Sequence, residues 1–99
     1  MRHMYISHCV VTDAFNKATD AEVNSYFKKM KESGKEHGFD LIFWGNPWGV
    51  SESLTFVATS EKSLDGYIGW RTAWSQKASK DKLPTFYQAS NTTIVTAIG

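Results

Sequence analysis

A chain of 99 residues is long enough for one domain of ordinary size and no more. With 41% hydrophobic, 21% charged and 14% aromatic residues, the composition excludes an intrinsically disordered chain, collagen and a coiled coil. Eleven Lys and Arg against ten Asp and Glu leave a formal charge of +1, too little for sequence-independent phosphate binding to dominate. Cys9 is the one cysteine, so no intrachain disulfide staples the fold. No apolar run approaches the ~20 residues that span a bilayer, and no signal-peptide core is evident. The expected location is the cytoplasm, with no membrane partner. Met4 offers an alternative start, and residues 4–98 read as a single domain.

Met4–Val11, rich in β-branched and aromatic residues, predicts a strand, and Asp13–Ala18 a loop. Thr19-Asp20-Ala21-Glu22 is a capping box that opens a helix. Val23, Phe27, Met30 and Gly34 recur at helical spacing as one stripe, while Lys28, Lys29, Lys31 and Lys35 fall mostly off it. Gly38 ends that helix as a left-handed cap. Phe39–Trp44 is a short, almost wholly apolar strand, and Gly45–Gly49 is dense turn chemistry. Ser53–Thr59 alternates like a strand, so the two pair as a hairpin. Ser60 is placed to cap a second helix, Glu61–Lys77, which Gly66 and Gly69 weaken by roughly 1 kcal/mol each. Packing must hold it. Pro84 blocks further helix. The last strand is expected at Thr92–Ile98, after a short extended piece around Phe86–Gln88.

The order is strand, helix, strand, strand, helix, strand. Right-handed crossovers put both helices on one face of a four-stranded antiparallel sheet, an α+β, ferredoxin-like βαββαβ sandwich. The other face should then alternate apolar with polar, and it does so poorly. Strict alternation sets Leu41 and Phe43 against Ile42 and Trp44, and a side bearing Trp44, Val57 and Val95 exposes more apolar surface than monomers tolerate. A second copy of the chain is the expected cover, a homodimer through the sheet face.

In this order of elements the chain resembles the dimeric α/β-barrel superfamily, in which two ferredoxin-like subunits press their sheets together. The segment Asn46-Pro47-Trp48-Gly49-Val50-Ser51-Glu52, followed by an apolar third strand, is similar to small superfamily members of unknown function. The resemblance implies a choice among cofactor-independent monooxygenases, lyases, haem-dependent enzymes and binding proteins, and fold alone does not choose.

His8 lies mid-strand in an apolar setting, where an imidazole can act as base or ligand or simply fill a core or interface. Trp70 and Trp74 are four apart on one helical face, with Arg71 beside them and Tyr67 a turn earlier. That grouping suits an anionic ligand held by a guanidinium against aromatic walls. Plain packing, with Arg71 reaching outward to water, is the favoured explanation, since aromatics serve packing first. Asn46 and Trp48 occupy the hairpin loop, a position that favours binding over core packing. Trp48 is as well placed to cover the barrel edge or meet a partner subunit as to touch a ligand. His37 reads as a helix-end residue, and Asp40 and Glu52 pair only if the hairpin strands align them. Cys9 has no cationic neighbour in sequence and reads as a small buried apolar side chain. No metal-ligand spacing, phosphate loop or dinucleotide glycine pattern occurs.

The leading expectation is a homodimeric small-molecule-binding protein with an aromatic-lined cavity between sheet and helices, holding a small apolar or aromatic anion. Trp44, Asn46, Trp48, Trp70 and Trp74 are its expected ligand contacts, with no metal and no cofactor. The alternative, implied by the resemblance, is a cofactor-independent monooxygenase or isomerase, with His8 as base, Arg71 and Asn46 as anion partners, and Trp44, Trp48 and Trp74 as walls. An RNA-binding version of the fold is disfavoured, because Glu52–Val57 lacks a basic-Gly start before its aromatic. Whether any reaction is catalysed stays open, and nucleic acid is not an expected partner.

Overall fold

The computed structural model describes residues 1–99. In chain order it comprises β1 (His3–Val11), α1 (Asp13–Lys17), α2 (Asp20–Glu36), β2 (Asp40–Gly45), β3 (Leu54–Ser60), α3 (Leu64–Lys80) and β4 (Tyr87–Thr96). The strands form one sheet in the order β2-β3-β1-β4, every neighbouring pair antiparallel. This is the βαββαβ sandwich expected from the sequence, with one short helix added. No helix is long and apolar enough to cross a membrane.

The added helix, α1, stands where a plain loop was expected. Thr12 caps it, its hydroxyl accepting from the Phe15 amide, and Phe15 meets Phe86 edge-on at the margin of the core. The capping box of α2 forms as read: the Thr19 amide donates to the Glu22 carboxylate at 2.9 Å, and the Glu22 amide to Thr19 Oγ1 at 3.2 Å. Those bonds hold the Glu22 carboxyl below its ordinary range. Gly38, with φ 82°, supplies the left-handed residue beyond the helix end.

The next helix begins later than expected. Ser60 does not cap it, because its hydroxyl donates to the Gly38 carbonyl and accepts from the Lys62 amide. Ser63 takes the N-cap position instead, without a side-chain bond, and the helix runs to Lys80 rather than Lys77. The last strand is also longer than expected, one continuous β4 from Tyr87 to Thr96.

Two bulges reorganise the sheet faces. Between Leu41 and Phe43 the register with β3 shifts by one, so Ile42 is extra. Phe43 therefore pairs with Val57 on the open face, and Trp44 with Phe56 on the helix face. The expected open-face patch of Trp44, Val57 and Val95 is corrected accordingly: Trp44 lies inside, stacked on Phe27 at 5.6 Å between centroids. Phe43, 65% exposed, takes its place. A second shift falls between Val10 and Val11, whose partners are Ala89 and Tyr87, leaving Gln88 extra on β4.

The core fills the space between sheet and helices. Tyr5, Ser7 and Cys9 of β1 and Leu54, Phe56 and Ala58 of β3 face Phe27 and Met30 of α2 and Tyr67, Trp70 and Trp74 of α3. Met4, Ile6, His8 and Val10 point the other way.

Candidate functional site

On α3 a helical repeat brings Tyr67, Trp70, Arg71 and Trp74 to the inner side. Trp70 is fully buried, stacked on Phe39 at 5.2 Å. A Cβ on Gly34 of α2 would stand 2.8 Å from the Phe39 carbonyl oxygen and 3.0 Å from the Trp70 ring. Only glycine lets the backbones approach that closely. Trp74 meets Tyr26 edge-on and donates its indole N–H to the Tyr26 hydroxyl at 3.2 Å.

Arg71 reaches into the gap between α3 and β4. Its Nη1 donates to Tyr67 Oη at 3.1 Å and to Ser7 Oγ at 3.5 Å. Its Nη2 donates to Tyr87 Oη at 3.3 Å and Ser90 Oγ at 3.4 Å. All four are longer than the ~2.7–2.9 Å of charge-assisted bonds to carboxylates. The rings of Phe56, Tyr87 and Tyr67 surround the guanidinium carbon at 4.8, 5.4 and 5.6 Å. No carboxylate pairs with it. The ion pairs of the chain lie elsewhere: Lys31 with Asp40, Lys77 with Asp81, and the N-terminus with Glu61.

Behind Arg71 runs a chain of hydroxyls. Ser7 Oγ lies 2.6 Å from Tyr67 Oη and 2.7 Å from Thr92 Oγ1, linking α3 through β1 to β4. Burial acts against the charge of Arg71, but the phenol oxygens of Tyr87 and Tyr67 outweigh it, so the guanidinium stays ionised. Burial also raises the Tyr87 phenol well above its ordinary value, although Arg71 pulls the other way. The Cys9 thiol is pushed up to about 11, chiefly by burial. The Tyr87 phenol and the Cys9 thiol are therefore neutral at physiological pH. The one charge in this region is the guanidinium.

Two hollows meet at Arg71. The larger, about 620 Å³, is walled by Tyr26, Trp74, Leu83, Phe86 and Tyr87. The smaller, about 430 Å³, runs along the outer side of α3 past Leu64, Ile68, Thr72 and Gln76 to Thr92. Arg71, Ser75 and Ser90 border both. No three His, Cys, Asp or Glu side chains gather closely enough to hold a metal ion.

No protein-family model matches the chain, and no curated protein matches it in sequence. Among solved structures, a dimeric ferredoxin-like protein of unknown function from Thermobifida fusca is similar, with a TM-score of 0.54. It is 12% identical, over 98% of this chain and 92% of that one. A protein from Agrobacterium tumefaciens is similar at a TM-score of 0.53 and 13% identity, over 99% of this chain and 94% of its own. The fold is ferredoxin-like. Likeness at such identity describes the architecture, and chemistry must be argued from side chains.

Within this ferredoxin-like frame, the residues singled out from sequence separate into five places. Arg71 and Trp74 line the large hollow. Trp70 lies beneath it in the packed core and borders neither hollow. Trp44 and Asn46 border a different depression of about 270 Å³ near the start of α2, where the Trp44 indole donates to Asn24 Oδ1 at 2.8 Å. Trp48 is 97% exposed at the hairpin tip. His8 sits on the open face, its Nδ1 2.6 Å from Thr55 Oγ1. One subunit therefore never brings His8 together with Arg71, since the sheet stands between them. The expectation that Arg71 reaches outward to water is also corrected, because it turns in under the β4 hydroxyls. Tyr87 and Ser90 went unrecognised as partners: the bulge at Gln88 brings both to the helix face although they are an odd number of residues apart.

Proposed function

We propose that this protein is a homodimeric binding protein whose α3–β4 cleft holds a small organic monoanion with an apolar or aromatic body. Arg71 is the counter-ion, Tyr87 and Ser90 are neutral hydrogen-bonding partners, and Trp74 and Phe86 are walls. The observation that carries this reading is an ionised guanidinium bordering two hollows with no carboxylate partner, its hydrogen bonds of 3.1–3.5 Å all going to hydroxyls. Desolvating a charge without a partner is costly, and a bound anion supplies that partner. A single positive charge suits a single negative one. The open sheet face supports pairing of two copies: Met4, Phe43, Val57 and Val95 form an apolar surface there. The Thermobifida fusca protein of the same fold is described as dimeric, which is in keeping. A single buried free cysteine accords with a cytoplasmic location.

Calorimetric titration with phenylacetate tests the site. Binding to the unaltered protein should be saturable, and Arg71→Gln should weaken it about tenfold to a hundredfold, the worth of a charged hydrogen-bonded partner. Equal affinity for both proteins would refute the assignment. Sedimentation at micromolar concentration tests the pairing. A dimer that Val57→Lys converts to monomer is the expected outcome, and a monomeric unaltered protein would overturn it.

A further inference from the structure

We infer that the anion this site takes is branched, its carboxylate standing between an aromatic group and an aliphatic chain rather than at one end of the molecule. The inference rests on the proposed role of Arg71 and adds the shape of the ligand to it. The guanidinium stands where the two hollows meet, since Arg71, Ser75 and Ser90 border both. A ligand whose acid group sits at its tip can fill one hollow from Arg71 and must leave the other to water. One whose acid group sits at a branch point can fill both.

The linings differ in kind. The larger hollow presents rings and flat apolar surface, namely Tyr26, Trp74, Phe86 and Tyr87 with Leu83 and Pro84. A planar aromatic group finds edge and face contacts there. The smaller hollow has Leu64 and Ile68 as its aliphatic side chains, 45% and 53% exposed, with Thr72, Gln76 and Thr92 around them. No ring other than Tyr67 borders it. A flexible alkyl chain lying along α3 covers Leu64 and Ile68 while the polar rim stays in contact with water.

The carboxylate is favoured over a phosphate on charge. Arg71 is the only Lys or Arg bordering either hollow, and no second cation is at hand for a dianion. Tyr67, Tyr87, Ser7 and Ser90 hold the guanidinium plane in place and can reorient their hydroxyls toward a planar acceptor.

Two isomeric acids isolate the geometry. In α-phenyloctanoate the carboxylate lies between ring and chain, and in ω-phenyloctanoate it lies at the chain end. Their atoms are the same, so general greasiness cancels. The site should bind the α-phenyl isomer about tenfold more tightly, what leaving two methylenes in water costs. Ile68→Asp, at an exposed position, should shrink that preference to near one. Equal affinity for the two isomers, or a preference for the ω-phenyl acid, would overturn the inference. So would a preference that survives Ile68→Asp unchanged. If phenylacetate binds through Arg71 while the isomers are not distinguished, only the branched shape fails. If phenylacetate itself does not bind, the anion site fails with it. Phenyl phosphate provides the charge test: binding tighter than phenylacetate would point to a dianion instead.

Discussion

The two long helices have the same length and cross the same sheet, yet they meet it differently. Helix α2 lies down on its surroundings. Gly34 brings its backbone against Phe39 and Trp70 with no room for a methyl group, and Phe27 and Met30 are sealed beneath. Helix α3 is sealed only along Tyr67, Trp70 and Trp74, while its Arg71 edge stands off β4 over two hollows. One seam is solid and carries stability. The other is open and carries a charge that the fold itself does not neutralise. Because both depend on α3, one helix bears a structural face and the proposed binding edge about a quarter-turn apart, and substitutions there should separate by effect within a single turn.

The largest expected effect is on the solid seam. Trp70→Ala empties the space between Gly34 and Phe39 and should cost about 3–5 kcal/mol of unfolding free energy, read from chemical denaturation. A cost below about 1 kcal/mol would show that the seam is not close-packed. An intermediate effect comes from alkali. Burial raises Cys9 from an ordinary 9.0 to about 11, so the folded chain keeps a proton that the unfolded chain releases. That contribution is complete below about pH 9 and is lost as pH climbs toward 11, amounting to about 2–3 kcal/mol. Buried Tyr26 and Tyr87, also raised, act in the same direction. Denaturation midpoints at about pH 8 and about pH 10.5 should fall with rising pH, less steeply in Cys9→Ala, and an identical slope would exclude the thiol. The smallest effect is expected on the open seam. Arg71→Met removes an unpaired charge and should leave stability unchanged or raise it by up to about 1 kcal/mol. A loss above about 3 kcal/mol would mean that the hydroxyl cage is structural.

The capping box, the apolar stripe of α2 and the left-handed Gly38 were all legible in the sequence because each is a local signal. So were the strand–helix order and the pairing of Arg71 with Trp74 on α3. What escaped was set by distant partners. In β2 every residue from Leu41 to Trp44 is apolar, so alternation cannot reveal the extra residue at Ile42, and Trp44 was placed on the wrong face. Ser60 and Ser63 are both good helix caps, and only the Gly38 carbonyl, far away in sequence, decides that Ser60 is otherwise engaged. Tyr87 and Ser90 join Arg71 through a second bulge, which no spacing rule anticipates. His8 could be assigned to a face only once the register of β1 was known, and that register puts the sheet between it and the cleft.

The extra residue in β2 has one more effect, on the rim of the molecule. β2 is an outer strand, and an outer strand with a regular row of free amides and carbonyls invites further chains to add on indefinitely. At Ile42 that row breaks step, so an incoming strand that matches Asp40 and Leu41 falls out of phase by Phe43. The kink that turns an aromatic ring outward thus also guards this rim of the sheet against ribbon growth.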